Sequence, residues 1–270
     1  MLEPRSFHTR QLQDRDGEAR TVGTVVEAPT LELPPAAGLF LPLARPGVAH
    51  GKVAVWSRVG SRVESAVYQL DDDHRAASRV ACGNALSAVA AAARPEAPMR
   101  LVLGDGAIEV HARVVASLVE LTWRVPPADV VEGALAGRRW ATWRGALNDY
   151  LIVGPGRGLG PAVAARFVAH VAGCVGPFVD PLRARVVVLD PSASRVAFYT
   201  CHLRAHPSAP LTGLAVLAEA RRRLGWLACP DGVTTPRGVM ALPEVLADGA
   251  LRFAPVVVHL EDPSAIARVA

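Results

Sequence analysis

A single lysine is the side chain in this sequence best suited to proton transfer. Lys52, in the apolar stretch HGKVAVWS, is the only lysine among 29 basic residues. Burial or nearby positive charge can remove the proton from a lysine, whereas arginine stays protonated. A lysine kept in such an arginine-rich chain therefore indicates an acid or base. The alternative is a lysine that leans out from its strand to water.

A cysteine thirty residues later is the second candidate. Cys82 precedes Gly83 and Asn84 in VACGNALSAVAAAA, where a strand-like segment gives way to an apolar helix. Free N–H groups at a helix start attract negative charge, either a thiolate or a bound carboxylate. Gly83 lets the backbone approach a ligand closely, and Asn84 can cap the helix or bind a carboxylate. A buried cysteine before a capped helix fits this stretch equally well, and Lys52 favours the functional interpretation.

The other three cysteines lack such surroundings. Cys174 has the context of a buried helical cysteine, Cys201 ends a strand-like run, and Cys229 lies beside a turn, so we predict packing roles for them. Without a CxxC spacing, neither a zinc site nor a disulfide framework is expected, and no metal is predicted. The loop GPGRGLG at 154–160 does not give the dinucleotide pattern GxGxxG, because Leu159 occupies the third glycine position.

The elements that must position these residues occur twice in the same order. Strands GKVAVWS and VESAVYQL precede a glycine turn and the helix ALSAVAAAAR, and RARVVVLD and SRVAFYTCHL precede the turn HPSAPLTG and the helix LAVLAEARRRL. This repetition predicts an α+β fold with two pseudo-symmetric lobes and a ligand cleft between them. The linking segment RVPPADVVEGALAGRRWATWRG is expected to have a helical middle. It divides an N-terminal lobe, 1–135, from a C-terminal lobe, 136–270.

Composition and charge exclude several classes of partner. The chain is 51% apolar and 20% charged, as in ordinary globular proteins. Its net charge of +4 is spread along the sequence without a recognisable nucleic-acid motif, so nucleic-acid binding is not predicted. No apolar stretch is long enough to span a bilayer, and the N-terminus has no apolar signal region. We therefore expect a cytoplasmic protein with no membrane partner.

Four motifs, in order, resemble landmarks of the PrpF-like isomerases: HGKVAVWS, VACGNALSAV, ALNDYLIVG and HPSAPLTGLAVLAEA. That family includes aconitate and methylitaconate Δ-isomerases and has the diaminopimelate epimerase-like fold. In this fold, each of two similar lobes is a mostly antiparallel sheet rolled around a central helix. The resemblance implies the same architecture here, with the second helix beginning near Thr212.

The resemblance also implies roles for individual residues. Lys52 and Cys82 match the lysine and cysteine of the family's proton-transfer pair. Pro210 stands where epimerases carry a second cysteine, which disfavours a two-cysteine racemase. No cofactor is implied. The positions that match substrate-binding motifs are Gly83, Asn84, Asn148, His206, Thr212 and Gly213.

The leading hypothesis is a cofactor-independent isomerase that shifts a proton and a C=C bond in a small unsaturated carboxylic acid. One of Lys52 and Cys82 would remove a proton and the other would return one. The alternatives are a PhzF-like isomerase, lyase or cyclase in specialised metabolism, or a non-catalytic anion-binding homologue. The sequence does not identify the arginines that bind carboxylates, although Arg204 is a candidate, and it leaves a homodimer open.

Overall fold

The chain folds into two compact units. The computed structural model describes residues 4–12, 21–33, 52–70, 77–103, 106–145, 147–178, 180, 182–200, 202–206, 209–235 and 238–261. Described residues up to Arg124, together with those from Leu246 onward, form the first unit, and Val125–Val245 form the second. This grouping differs from the predicted ranges 1–135 and 136–270. No helix in the described ranges is both long and apolar enough to cross a membrane.

Strands outnumber helices in both units. In chain order the elements begin with β1 (Arg5–Gln11), β2 (Thr21–Glu27), β3 (Lys52–Val59), β4 (Arg62–Leu70), β5 (Ala77–Arg79), α1 (Gly83–Ala93), β6 (Met99–Leu103), β7 (Gly106–Val115), β8 (Leu118–Trp123), β9 (Ala128–Leu135) and β10 (Arg138–Gly145). They continue with β11 (Asp149–Val153), α2 (Pro161–Val175), β12 (Ala184–Leu189), β13 (Val196–Thr200), β14 (Ala205–His206), α3 (Leu211–Arg223), β15 (Gly232–Thr235), β16 (Gly238–Ala241), β17 (Glu244–Val245), β18 (Leu251–Arg252) and β19 (Val256–Glu261).

A closed barrel surrounds α1 in the first unit. Its strands follow the order β8-β19-β1-β2-β3-β4-β6-β7, and β7 pairs again with β8. Helix α1 contacts strands on every side of this barrel, and nine of its eleven residues are buried. Its sequence GNALSAVAAAA is rich in alanine. Small side chains keep the helix narrow, as the interior of an eight-stranded barrel requires.

The second unit contains a six-stranded sheet with a helix on each face. The strand order is β14-β13-β12-β11-β10-β9, and only β11 and β12 pair in parallel. Leu151 and Val153 of β11 face α2 and pack around its buried Phe167. The alternate residue Tyr150 faces the other way and contacts Thr212 of α3. Among the described strands this sheet stays open, whereas a sheet rolled around the helix was predicted for each lobe.

The linking segment forms a hairpin instead of the predicted helix. Strands β9 and β10 pair along their full lengths, from Arg138 opposite Leu135 to Gly145 opposite Ala128. Ala136 and Gly137 between them both have positive φ angles, 51° and 77°. Positive φ at both central residues is the geometry of a two-residue hairpin turn and is incompatible with a helix through these residues. The predicted lobe boundary at residue 135 therefore falls inside one hairpin of the second unit.

Candidate functional site

Cys82 lies at the start of α1, where backbone N–H groups have no acceptor within the helix. Its backbone is extended, and its carbonyl accepts the first helical hydrogen bond, from the Leu86 N–H, at 2.9 Å. No side chain caps this end, and the first turn contains no acidic residue. The N–H groups of the first turn have no acceptor within the helix, so this end carries a partial positive charge. The half-buried Cys82 thiol is therefore placed beside backbone donors that favour an anion.

Asn84 connects the start of α1 to the barrel wall. Its side chain is 6% exposed, and Nδ2 donates to Thr21 Oγ1 at 2.8 Å. Oδ1 is also buried, and no described residue gives it a hydrogen-bond partner. The Thr21 hydroxyl can donate or accept, so it satisfies the amide in either of its two orientations. Asn84 can thus direct either an acceptor or a donor at a bound group.

Lys52 projects from the barrel wall toward the same end of α1. It is the first residue of β3, pairs with Gly23 of β2, and donates from Nζ to Oε1 of the buried Gln69. Thr21 lies two residues before Gly23, so its Cα is about 8 Å from that of Lys52 on the same sheet face. The opposite face of these strands carries a separate apolar cluster that includes Val53.

The first unit therefore gathers four of the eight predicted site residues at one end of its barrel. These are Lys52, Cys82, Gly83 and Asn84. Thr21 and Gln69 complete the group, and neither was predicted from the sequence. Thr21 carries a detectable signal, since a hydroxyl residue opens a strand directly before an apolar run. Gln69 carries none, because its role depends on the register that places it opposite Lys52.

A second polar group surrounds the start of α3. Asn148 Nδ2 donates to Thr212 Oγ1 at 3.4 Å, and Tyr150 Oη lies 2.8 Å from the same hydroxyl. All three side chains are buried. Helix α3 also begins without a side-chain cap or an acidic residue in its first turn, and the first helical bond runs from Leu214 N to Pro210 O at 3.0 Å. Tyr150 was not among the predicted residues.

Gly213 and His206 join this second group through β13. Phe198 of β13 is paired with His206 of β14, so the two side chains share the sheet face that meets α3. A Cβ on Gly213 would lie 2.6 Å from Phe198 Cε1. Only glycine allows α3 to pack this closely on the sheet. The second unit thus brings together the remaining predicted residues, Asn148, His206, Thr212 and Gly213, and their proposed roles stay predictions.

The two helix starts use the same polar pair in opposite senses. In the first unit an asparagine on the helix binds a threonine at a strand start, Asn84 to Thr21. In the second unit a threonine on the helix binds an asparagine at a strand start, Thr212 to Asn148. This reciprocal pairing extends the repeated order of elements to individual side chains.

The remaining cysteines divide by burial. Cys229 is 3% exposed, and burial raises the pKa of its thiol to about 11, with Arg221 opposing the shift. Its packing role agrees with the prediction. Cys174 is helical as predicted but exposed, because it lies on the outer side of α2, where its Sγ is 3.6 Å from His170 Nε2. Cys201 lies outside the described residues. Among the described ranges, no three side chains of the His, Cys, Asp or Glu type converge as metal ligands do.

Comparison with known proteins identifies the fold. No family model and no curated protein matches the sequence. A predicted epimerase from Pseudomonas aeruginosa matches the structure with a TM-score of 0.56 and 13% identity, over 95% of this chain and 96% of its own.

Two PhzF-type structures are similar to a comparable extent. A phenazine biosynthesis protein of the PhzF family from Enterococcus faecalis gives a TM-score of 0.51 at 13% identity, over 96% of this chain and 97% of its own. A PhzC/PhzF protein from Clostridium difficile gives 0.50 at 12% identity, with the same coverage. At such identities the likeness concerns the fold, and a narrower PrpF-like assignment stays a prediction. The chain therefore has the diaminopimelate epimerase-like fold that PhzF-family structures share.

Proposed function

We propose that this protein is a cofactor-independent isomerase that shifts a proton and a C=C bond in a small unsaturated carboxylic acid. One observation carries the proposal: Lys52 and the uncapped start of α1, with Cys82, lie at the same end of one barrel. An amine and a thiol are a competent acid–base pair, and helix N–H groups stabilise a developing anion. The fold shared with PhzF proteins and with a predicted epimerase supports the isomerase class.

In the proposed reaction, one of Lys52 and Cys82, in its deprotonated form, removes a proton from the carbon adjacent to the C=C bond. The electron pair of that C–H bond moves into the allyl system and gives an enolate-like anion. The second residue, in its protonated form, delivers a proton to the far carbon, and the double bond is then displaced by one position. A proton passed between the two residues, directly or through water, restores the starting state.

Other residues of each unit have supporting roles in this proposal. The N–H groups at the start of α1, with Gly83 allowing close approach, stabilise the charge of the anion. Asn84, fixed by Thr21, hydrogen-bonds the substrate carboxylate, and Gln69 orients the Lys52 amine. In the second unit, the residues assigned to substrate binding are Asn148, His206, Thr212 and Gly213. No step requires a metal or an organic cofactor.

Solvent deuterium incorporation tests the proposal directly. Itaconate, trans-aconitate and crotonate would be incubated with the protein in D₂O, and the labelled carbon would be located by NMR. We expect exchange at both ends of the allyl system together with movement of the double bond. Lys52→Met and Cys82→Ala should each lower the exchange rate by about 10²- to 10⁴-fold, the usual contribution of a general acid or base.

Two control variants match these substitutions. Arg62→Met removes an exposed cation from the neighbouring strand β4, and Cys174→Ala removes an exposed thiol from α2. Both should keep wild-type exchange. Full turnover in Lys52→Met would contradict the proposed mechanism.

A PhzF-like isomerase, lyase or cyclase is the second candidate, favoured by the similarity to two PhzF-type structures. The same NMR experiment separates it from the first candidate. An eliminated or cyclised product, or exchange at a single carbon without double-bond movement, would indicate this chemistry. A non-catalytic homologue would bind carboxylates without any exchange.

A further inference from the structure

Arg185 is a buried cation on the face of the second sheet that meets α3. It is the second residue of β12, with 9% of its surface exposed. Tyr150 is its partner on one neighbouring strand and Thr200 on the other, so the three side chains form a row on one face. Tyr150 in this row contacts Thr212 at the start of α3. Arg185 therefore lies on the same sheet face as the polar group that surrounds the start of that helix.

The hydrogen bonds of Arg185 leave most of its guanidinium unused. Nη1 donates to the carbonyl oxygens of Leu182, at 2.9 Å, and Ala184, at 2.8 Å. A guanidinium has five N–H donors, so three remain on Nε and Nη2 without an acceptor among the described residues. No described carboxylate forms an ion pair with Arg185. By contrast, the buried Arg138 uses all three of its nitrogens to bind backbone carbonyls.

Arg185 has no described counter-charge. Burial of a charge without a counter-charge is unfavourable in proteins generally. The start of α3, which meets the same sheet face through Tyr150, carries a partial positive charge, and its first turn supplies no acidic residue to balance it. An anion bound to Arg185 would neutralise the guanidinium charge and also balance the partial positive charge of the helix start. The planar fork formed by Nε and Nη2 matches the two oxygens of a carboxylate.

We propose that Arg185 binds a carboxylate group of the substrate, with the hydroxyls of Tyr150 and Thr200 beside it. That the ligand is the substrate rests on the proposed function, whereas carboxylate binding by Arg185 does not. The sequence offered Arg204 as a carboxylate-binding candidate, but Arg204 is exposed, and its backbone N–H binds Thr200 Oγ1 at 3.3 Å. Arg185 combines burial, unused donors and polar neighbours on one sheet face.

Calorimetric titration with carboxylates that cannot isomerise tests this assignment. Malonate, succinate and glutarate cover three spacings, and the matching diamides provide neutral controls of the same shape. We expect wild type to bind at least one diacid and to prefer it over its diamide. Arg185→Gln should weaken that binding by about 10- to 100-fold, as for other hydrogen bonds to charged groups. Arg185→Lys should lose less, because it keeps the charge without the fork.

Arg166→Gln is the matched control. Arg166 is an exposed arginine on α2, which packs against the opposite face of the same sheet. Its loss should leave diacid binding unchanged. Wild-type affinity in Arg185→Gln, or a wild type that does not distinguish any diacid from its diamide, would overturn the assignment. If Arg185→Gln does not fold, the crystal structure of the wild type grown with succinate tests the assignment instead. A carboxylate within about 2.9 Å of the Arg185 guanidinium supports the assignment, and a carboxylate bound only elsewhere overturns it.

The two proposals fail in different ways. Arg185-dependent diacid binding without any deuterium exchange would contradict the isomerase proposal and support the carboxylate site at Arg185. Deuterium exchange with an unchanged KM in Arg185→Gln would support the isomerase proposal and contradict a role for Arg185 in substrate binding.

Discussion

Arg138 holds the glycine-rich loop after β11, and its removal should destabilise the second unit strongly. Its Nε donates to Gly154 O at 2.6 Å, Nη1 donates to Arg157 O and Gly158 O at 3.1 and 3.2 Å, and Nη2 donates to Leu189 O. Burial lowers the pKa of this guanidinium below its ordinary value. The side chain thus acts as a fixed internal cation around which the loop carbonyls converge.

Methionine at position 138 would keep the apolar stem and remove all of these donors. Each buried carbonyl left without a donor costs about 1–3 kcal/mol. The oxygens of Gly154 and Leu189 are bound in the buried part of the contact, whereas those of Arg157 and Gly158 are bound where the contact is only partly buried, so water can replace their donor. Two uncompensated carbonyls give an expected loss of about 2–6 kcal/mol for Arg138→Met.

Urea unfolding followed by circular dichroism measures this loss, and the neighbouring residue supplies the control. Arg139 is exposed and pairs with Glu132 at 3.1 Å, a surface contact worth about 0–1 kcal/mol. Arg139→Met should therefore unfold close to wild type. Arg138→Lys should fall between the two, because an ammonium keeps the charge and loses the fork. A free energy of unfolding for Arg138→Met within about 1 kcal/mol of the Arg139→Met value would refute this account of the loop.

Two further predictions concern a glycine and a cysteine. Gly213→Ala should destabilise the protein by about 1–3 kcal/mol through overlap with Phe198, with partial recovery in combination with Phe198→Leu. Gly173→Ala, on α2 with open space around it, should be neutral or stabilising in the same thermal unfolding assay, and equal effects of the two alanines would contradict the packing argument. Cys229 should resist iodoacetamide at pH 8 while the exposed Cys174 reacts, as peptide mass spectrometry would show. Because folding raises the Cys229 pKa to about 11, its contribution to stability is present below the unfolded pKa, about 9, and declines as pH rises toward 11. A Cys229→Ala variant with the same alkaline loss of stability as wild type would exclude this cause.

Some of the candidate site residues have local signals in the sequence. A lone lysine among arginines indicated Lys52, and a small polar motif before an apolar helix indicated Asn84, whereas Thr212 was indicated by the resemblance to a family motif. These signals depend on residue type and on neighbours along the chain. The helices that follow were predicted from apolar runs, although α1 begins two residues and α3 three residues before those runs.

The rest depends on register between distant strands. Arg185 is one of many arginines in the sequence, and only the pairing of β12 with β11 and β13 buries it beside Tyr150 and Thr200. Gln69 reaches Lys52 for the same reason. The linking segment, residues 124–145, was predicted to have a helical middle. Its strand character becomes visible only when Trp140 and Trp143 pack on opposite faces of a sheet.

The position of β19 determines when the first unit can fold during synthesis. This strand pairs with β1 on one side and with β8 on the other, so residues about 250 positions apart, such as Ser6 and Glu261, become neighbours. The wall around α1 therefore stays incomplete until the ribosome has made the whole second unit and the strand beyond it. The second unit is an insertion that can form first, and closure of the barrel is the long-range, slow step. Any shortening of the chain before β19 would leave the edges of β1 and β8 open to association with other chains.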